Sequence, residues 1–372
     1  MATTGGGILE LAGSMRWLII GLALLSGLTV TLACWVLLWQ RWSSRRDVRV
    51  SRQSHVLALS FARLLTGRLD AGAVREIAAR AKPDVFWRAL ETFADSVAGE
   101  EWTMLSEALA GLDHVERERR RLQSGGRWAR SLAARHLGMI DAPANREPLR
   151  RAMAAGPSTV TLMAAVALAR IHDHAALVWL LDHADALEPL SRHQLVSLIK
   201  RFGRDSAPTL RFGLAAADFE RPTGLAAVDV LGLWRDAESR EMLEALLCEG
   251  GLEARIAAAR ALGNIATPES VPSLCAALSD AAWQVRAQAA RALGGHPGAA
   301  AIAALDACLS DVSWWVRRNA AYAIGSLGAE GEALLRQVAK VHEDAYARGA
   351  ASEVLQALQW DAESPGGLSR VE

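Results

Sequence analysis

The chain has 372 residues, with 41 basic and 41 acidic side chains. That balance excludes association with nucleic acid or membrane driven by overall charge. Hydrophobic residues make up 51%, much of it alanine, which suits helices packed at close range. Cys34, Cys248, Cys275 and Cys308 show no CxxC or metal spacing, so a reducing compartment is expected rather than a disulfide framework.

Residues 1–16 carry only Glu10 and Arg16 as charged side chains and are expected to lack a fold outside the membrane. Trp17 to Trp39 has no charge. As a helix it reaches about 34 Å, enough for a hydrocarbon core of about 30 Å. Tryptophans at 17, 35, 39 and 42 mark its ends, so 17–40 is predicted to be a transmembrane helix. Basic residues follow it (Arg41, Arg45, Arg46, Arg49 and Arg52) within a juxtamembrane linker, 41–52. The positive-inside rule then puts the N-terminus outside and the rest in the cytoplasm of a bacterial-type inner membrane. Ala23, Gly27 and Thr31 form a small-xxx-small line, expected to be lipid-facing filler. Thr31-Leu32-Ala33-Cys34 partly matches a lipoprotein cleavage box, and that alternative would make the protein a lipid-anchored periplasmic scaffold.

Residues 53–122 are expected to form a helical stalk or degenerate repeats. Within them, Gln53 to Thr66 reads as an amphipathic helix, and Asp70 and Asp84 as caps of two more. A longer helix is predicted from Glu100 to Leu122, ending in the mixed-sign run 116–121 and broken by Gln123-Ser124-Gly125-Gly126. With Arg127, Arg130 and Arg135 this is a basic stretch. A solvated helix end explains it, and an anionic lipid or a partner is the sharper reading.

From here to residue 360 the sequence repeats itself. Ala254-Arg255 opens a phrase that closes on Gly263; Val285-Arg286 opens one closing on Gly294, and Val316-Arg317 one closing on Gly325. The arginines are 31 residues apart, and so are the glycines. Such a period signals a solenoid. Small residues at helical spacing mark a buried face, and the glycine is expected in the left-handed position that ends a helix. Looser copies lie at 130–138, 164–169, 194–203, 227–232 and 348–356, the last resembling a cap. Residues 361–372 are expected to be a disordered tail.

The phrase resembles the HEAT-repeat superfamily, in particular the short phycobilisome-lyase type with its V-R-x-x-A-A-x-A-L-G second helix. Thr267-Pro268-Glu269, expected to cap and start the next first helix, and Asp280 and Asp311, six residues before their motif arginines, extend the match. The resemblance implies an all-α, right-handed α-α superhelix with second helices lining the concave side. It also implies a ladder of hydrogen bonds joining Arg255 to Asp280 and Arg286 to Asp311, with Arg317 in the same position.

Nothing has the form of a phosphate loop, a nucleotide fingerprint or a nucleophile elbow. His172-Asp173-His174 with Asp182-His183 is the best metal candidate, but Asp173 falls on the capping position of the repeat. The di-iron hydroxylases built on similar repeats need several His-Glu pairs, and only His342-Glu343 is present. Three residues before each closing position stand Arg135, Val166, Lys200, Asp229, Arg260, Arg291, Tyr322 and Glu353, and one turn earlier Gln288 and Asn319. Of this stripe, Arg260, Gln288, Arg291, Asn319 and Tyr322 are predicted to bind a protein partner, with an acidic segment favoured. Trp283 and Trp314, in one repeat position, and Trp315 beside them form an aromatic edge; stapling of the repeat's own helices is the alternative role. The expected function is a non-catalytic scaffold that positions a protein partner at the membrane, with no cofactor, metal or nucleic acid. A bilin-lyase-like enzyme or enzyme subunit is the alternative that the resemblance suggests.

Overall fold

The computed structural model describes residues 6–94, 97, 99–183, 190–216 and 221–363; the side chains of 6–26, 30, 43–46, 215–216 and 361–363 lie outside that description. Two compact units divide the chain, 1–116 and 117–372. No strand occurs among the described residues.

The first unit begins with one unbroken helix, α1 (Gly6–Leu65). It replaces three separate expectations: an unstructured start over 6–16, a linker at 41–52 and a separate helix at 53–66. The linker contains no proline or glycine to stop a helix, so it propagates through the arginines. Among the described residues no helix is long and apolar enough to cross a membrane. Of the expected span 17–39, the side chains of 17–26 lie outside the described residues, as does Ala23 of the small-residue line. Leu57, Phe61 and Leu64 of α1 are buried against α2 (Ala71–Arg80), α3 (Pro83–Ala94) and α4 (Glu100–Leu109). Asp70 caps α2, accepting from the Gly72 and Ala73 N–H groups. Asp84 sits one residue inside α3, which starts on Pro83 itself, and accepts from the Val85 N–H. The long helix expected over 100–122 is two, because the chain turns at 110–112 between α4 and α5 (Asp113–Ser124).

In the second unit, helices alternate in the repeat. Second helices are α6 (Arg127–Leu137), α8 (Ser158–Arg170), α10 (Arg192–Lys200), α12 (Pro222–Trp234), α14 (Leu252–Ile265), α16 (Trp283–Leu293), α18 (Trp314–Ser326) and α20 (Ala345–Glu363). Between them run the first helices α7 (Pro143–Ala155), α9 (His174–Asp182), α11 (Ala207–Ala216), α13 (Arg240–Glu249), α15 (Val271–Ala277), α17 (Ala299–Ala307) and α19 (Ala329–Val341). Each second helix packs on the next, from α6 to α20. The tail 364–372 lies outside the described residues.

The motif glycines do not serve the purpose their position suggested. Gly294 has φ −62° and ψ −17°, ordinary helical values, and Gly138 is similar at −69° and −10°. Gly263 and Gly325 lie inside α14 and α18. Among the described residues, those other than glycine with positive φ are Arg235 and Ala266 at the ends of α12 and α14, and His172. Only the loosest copy keeps a left-handed closing glycine, Gly203 at φ +85°.

The reason for glycine is proximity. A Cβ on Gly263 would stand 2.6 Å from Ala292 Cβ and 2.8 Å from its Cα. Gly138 meets Ala167 at 2.5 Å in the same way, and Gly232 meets Ala261 at 2.7 Å. The buried alanine pairs Ala133-Ala134, Ala289-Ala290 and Ala320-Ala321 complete these close-packed seams. Gly263→Val should therefore destabilise the protein by about 1–3 kcal/mol through overpacking. Gly295→Ala, whose new methyl would meet nothing nearer than 3.6 Å, should stay within about 0.5 kcal/mol. Urea unfolding of the two variants checks this; equal midpoints would refute the contact.

Candidate functional site

The loops that start the second helices carry a charged ladder. Arg255 Nε donates to Asp280 Oδ2 at 2.9 Å and its Nη2 to Oδ1 at 3.1 Å. One repeat on, Arg286 grips Asp311 in the same way at 2.7 and 2.9 Å. Each aspartate also accepts a backbone N–H two residues on, from Ala282 or Ser313. The spare guanidinium nitrogen of each arginine donates to carbonyls of its own loop, as Arg286 does to Asp280 O at 2.9 Å. Burial pushes the Asp311 carboxyl upward, but the Arg286 hydrogen bonds, the Ser313 N–H and the nearby guanidinium charges outweigh it and hold it below its ordinary value. Asp280 is lowered by the same balance, with Arg255 and Ala282 as its partners.

The ladder changes at its third rung. His342 stands where an aspartate would, and its Nδ1 accepts the Asp344 N–H at 3.0 Å. It reproduces the loop's backbone contact but gives Arg317 no carboxylate. Arg317 instead lies 4.8 Å from the centre of the Tyr346 ring, with Nη1 on Asp311 O at 2.6 Å.

On the face of the second helices, the predicted stripe is partly self-neutralised. Arg260 donates to Asp229 Oδ1 at 2.8 Å, while Arg192 holds Oδ2 at 2.7 Å. Arg260 is thus committed to the protein's own aspartate rather than free for a partner. Tyr322 donates to Glu353 at 3.4 Å, and Arg318 reaches the same carboxylate at 3.5 Å with its guanidinium over the Tyr322 ring. Asn319 donates to Ala287 O across the α16–α18 seam. Lys200 and Arg291 are exposed, and among the described residues neither has an ion-pair partner. Gln288 is half-buried beside Arg291 in one cavity wall.

The aromatic edge is on the surface. Trp283 is 41% exposed, Trp314 49% and Trp315 50%. Trp314 and Trp315 meet edge to face at 4.7 Å, and Val312 beside them is 92% exposed. About half of each ring is thus covered by the protein and half is open to solvent.

A family model described as HEAT repeats matches residues 208–283 and 271–356. The match covers α11 to α20 of the second unit, an all-α helical solenoid. Among solved structures, human deoxyhypusine hydroxylase in complex with glycerol is similar at 17% identity, over 82% of this chain and 98% of its own, with a TM-score of 0.30. The karyopherin Kap121p bound to the extreme C-terminus of the protein phosphatase Cdc14p is 14% identical over 84% of this chain, which spans 41% of the karyopherin, with a TM-score of 0.44. An engineered protein is 21% identical over 67% of this chain and 98% of its own, at 0.26. No curated protein matches the chain.

The second unit has another set of polar links that sequence reasoning missed, each joining one helix to the start of the next first helix. Arg150 grips the fully buried Asp173 at 2.7 and 3.0 Å, and Asp173 also caps α9 through the Ala176 N–H. Arg119 bonds Asn145 at 2.8 Å, and Arg211 bonds Asp236 at 2.6 Å. The 31-residue spacing of Arg119 and Arg150 was the available signal. Ser206, Ser239 and Ser270, each fully buried, tie down the turns that start three first helices. His172 and His174 face Asp205 at 3.4 and 3.8 Å, and no group of three metal-ligating side chains occurs among the described residues. In the basic stretch at 117–121, Arg119 serves Asn145 and Arg121 serves the buried Glu118.

The ladder makes a stability prediction. Arg286→Ala leaves the partly buried Asp311 without its partner and should cost about 1–3 kcal/mol. The depressed Asp280 and Asp311 contribute stability above the ordinary aspartate value of 3.8, and it is lost as pH falls through their lower folded values. The parent should therefore lose stability through that acid range, and Asp311→Asn should lose less there. Urea titrations at stepped pH give both slopes.

Proposed function

We propose that this chain is a HEAT-repeat scaffold that binds and positions a protein partner at a membrane, without catalysis of its own. The observation that carries the reading is the exposed aromatic edge. Trp283, Trp314 and Trp315 are held at the surface on successive repeats, beside Val312, where large apolar side chains gain most by being covered by a partner. A non-catalytic role is supported by the way the carboxylates of this face are used. Asp280 and Asp311 are each gripped by arginine and held below their ordinary values, which weakens them as general bases. The 31-residue period fits the short repeats that resemble those of phycobilisome lyases.

Membrane attachment is the further part of the reading. Leu28, Leu32, Trp35, Trp39 and Trp42 of α1 all expose apolar side chains; Trp35 stacks on Trp39 at 5.9 Å, and Trp42 meets Trp39 at a tilt at 5.8 Å. Bilayer and headgroup region would cover them, with 17–40 as the span, the N-terminus outside and the repeats in the cytoplasm of a bacterial inner membrane.

Two experiments test these halves. Alkaline phosphatase fused after Gly367 should be inactive, and an active fusion would reverse the orientation. Trp314→Ala with Trp315→Ala should abolish capture of the cellular partner by the full chain while leaving helicity and melting unchanged. Undiminished capture would remove the edge from the binding surface.

A further inference from the structure

Three cavities lie end to end across five successive second helices. The first, about 360 Å³, is lined by Arg192, Val196, Asp229 and Leu233 and runs to Arg260 and Asn264. The second, about 170 Å³, takes up at Arg260 and Asn264 and ends at Arg291. The third, about 670 Å³, starts at Arg291 and ends at Arg318, Tyr322 and Ser326. Shared lining residues make them one groove from α10 to α18. Gly263, Gly294 and Gly295 line its middle.

The charges along this groove are uneven. Arg192 and Arg260 share Asp229, and Arg318 and Tyr322 share Glu353. Arg291, at the junction of the second and third cavities, has no carboxylate among the described residues. The Gln288 and Asn319 amides line the same two cavities. An uncompensated guanidinium between two amides suits one carboxylate. A nucleic-acid strand would need a run of uncommitted cations to follow its phosphates, and the groove offers one. On either side the walls change character. Val196 and the half-exposed Leu233 give the first cavity an apolar wall, and the Tyr322 ring lies in the third.

We propose that this groove binds an extended acidic peptide segment, with one Asp or Glu of the peptide seated on Arg291. The assignment rests on the protein-binding reading above and specifies the ligand. Neighbouring helices pack about 10 Å apart, so the groove is about 40 Å long and takes about 12 residues at about 3.3 Å each. The apolar cavity lies about two helix spacings from Arg291 and Tyr322 about one. The peptide then carries an apolar residue about six positions to one side of its acid and an apolar or aromatic residue about three to the other, in either chain direction.

The test is selection of random 12-residue peptides displayed on phage against the full chain in nanodiscs. Enriched peptides should share one Asp or Glu flanked by apolar residues at those spacings. Arg291→Glu should weaken a fluorescein-labelled selected peptide about ten- to a hundredfold and should favour its Lys-substituted counterpart, with both flanking preferences kept. Enrichment without an acid, an acid preference that survives Arg291→Glu, or no enrichment at all overturns the assignment. Equal displacement of the labelled peptide by a single-stranded oligonucleotide also overturns it, in favour of a phosphate backbone. Because the peptides probe the groove directly, a failed selection alongside intact partner capture sinks the groove and leaves the scaffold reading standing.

Discussion

The second unit depends on how closely its second helices approach. At the seams a glycine faces the Cα and Cβ of an alanine 29 residues later, with no room for a methyl group between them. Side chains of any size are therefore excluded from the seam and pushed to its margins. One margin holds the arginine–aspartate ladder, and the other becomes the polar groove with glycine in its walls. Where the closing residue is Ala169 instead of glycine, α8 and α10 touch more sparingly, and the copy that follows is the irregular one. Small residues bury little area each, so repeats of this kind gain stability from the neighbour on either side rather than from a deep core.

The polar links give these shallow seams their register. A guanidinium that bonds a carboxylate in the next loop, and carbonyls in its own, fixes both loops at once, with planar geometry that a lysine lacks. The end of the array shows what happens when one partner is missing. His342 preserves the turn, Tyr346 takes over the arginine, and Gly325 meets Val354 and Leu358 of a helix longer than its predecessors. The last repeat thus exchanges charge pairing for apolar and cation–π contact.

Much of this was legible in the sequence, because periodicity constrains position. Arg255, Asp280, Arg286 and Asp311 fall on the 31-residue grid, and the resemblance to HEAT-like repeats implies that each arginine lies beside the next aspartate. Asp173 was readable as a cap, since capping is local. Its second partner, Arg150, was overlooked: its one signal, the period separating it from Arg119, lies in first helices whose sequence is less regular. The glycines were misread for a related reason: closing a helix and admitting a neighbouring helix both favour glycine, and one sequence cannot separate them. Arg260 appeared as a free cation because its partner, Asp229, lies in the preceding copy at the same stripe position, where pairing depends on side-chain reach. The single helix α1 also escaped detection. Charged arginines looked like a boundary, yet they are good helix formers and do not end one.

Each of these links spans no more than one repeat in sequence: 25 residues for the ladder, 29 for the glycine contact, 31 for Arg260 with Asp229. Among the described links, the long Arg192–Glu253 pair at 3.9 Å is the exception that reaches past a neighbouring repeat. Unequal recombination that copies or deletes one full period therefore leaves the ladder and the glycine contacts with their proper partners. An insertion of one or two residues breaks several of them. Descendants of such a gene would be free to vary in copy number while holding period length nearly fixed, and the groove would lengthen or shorten by one compartment each time.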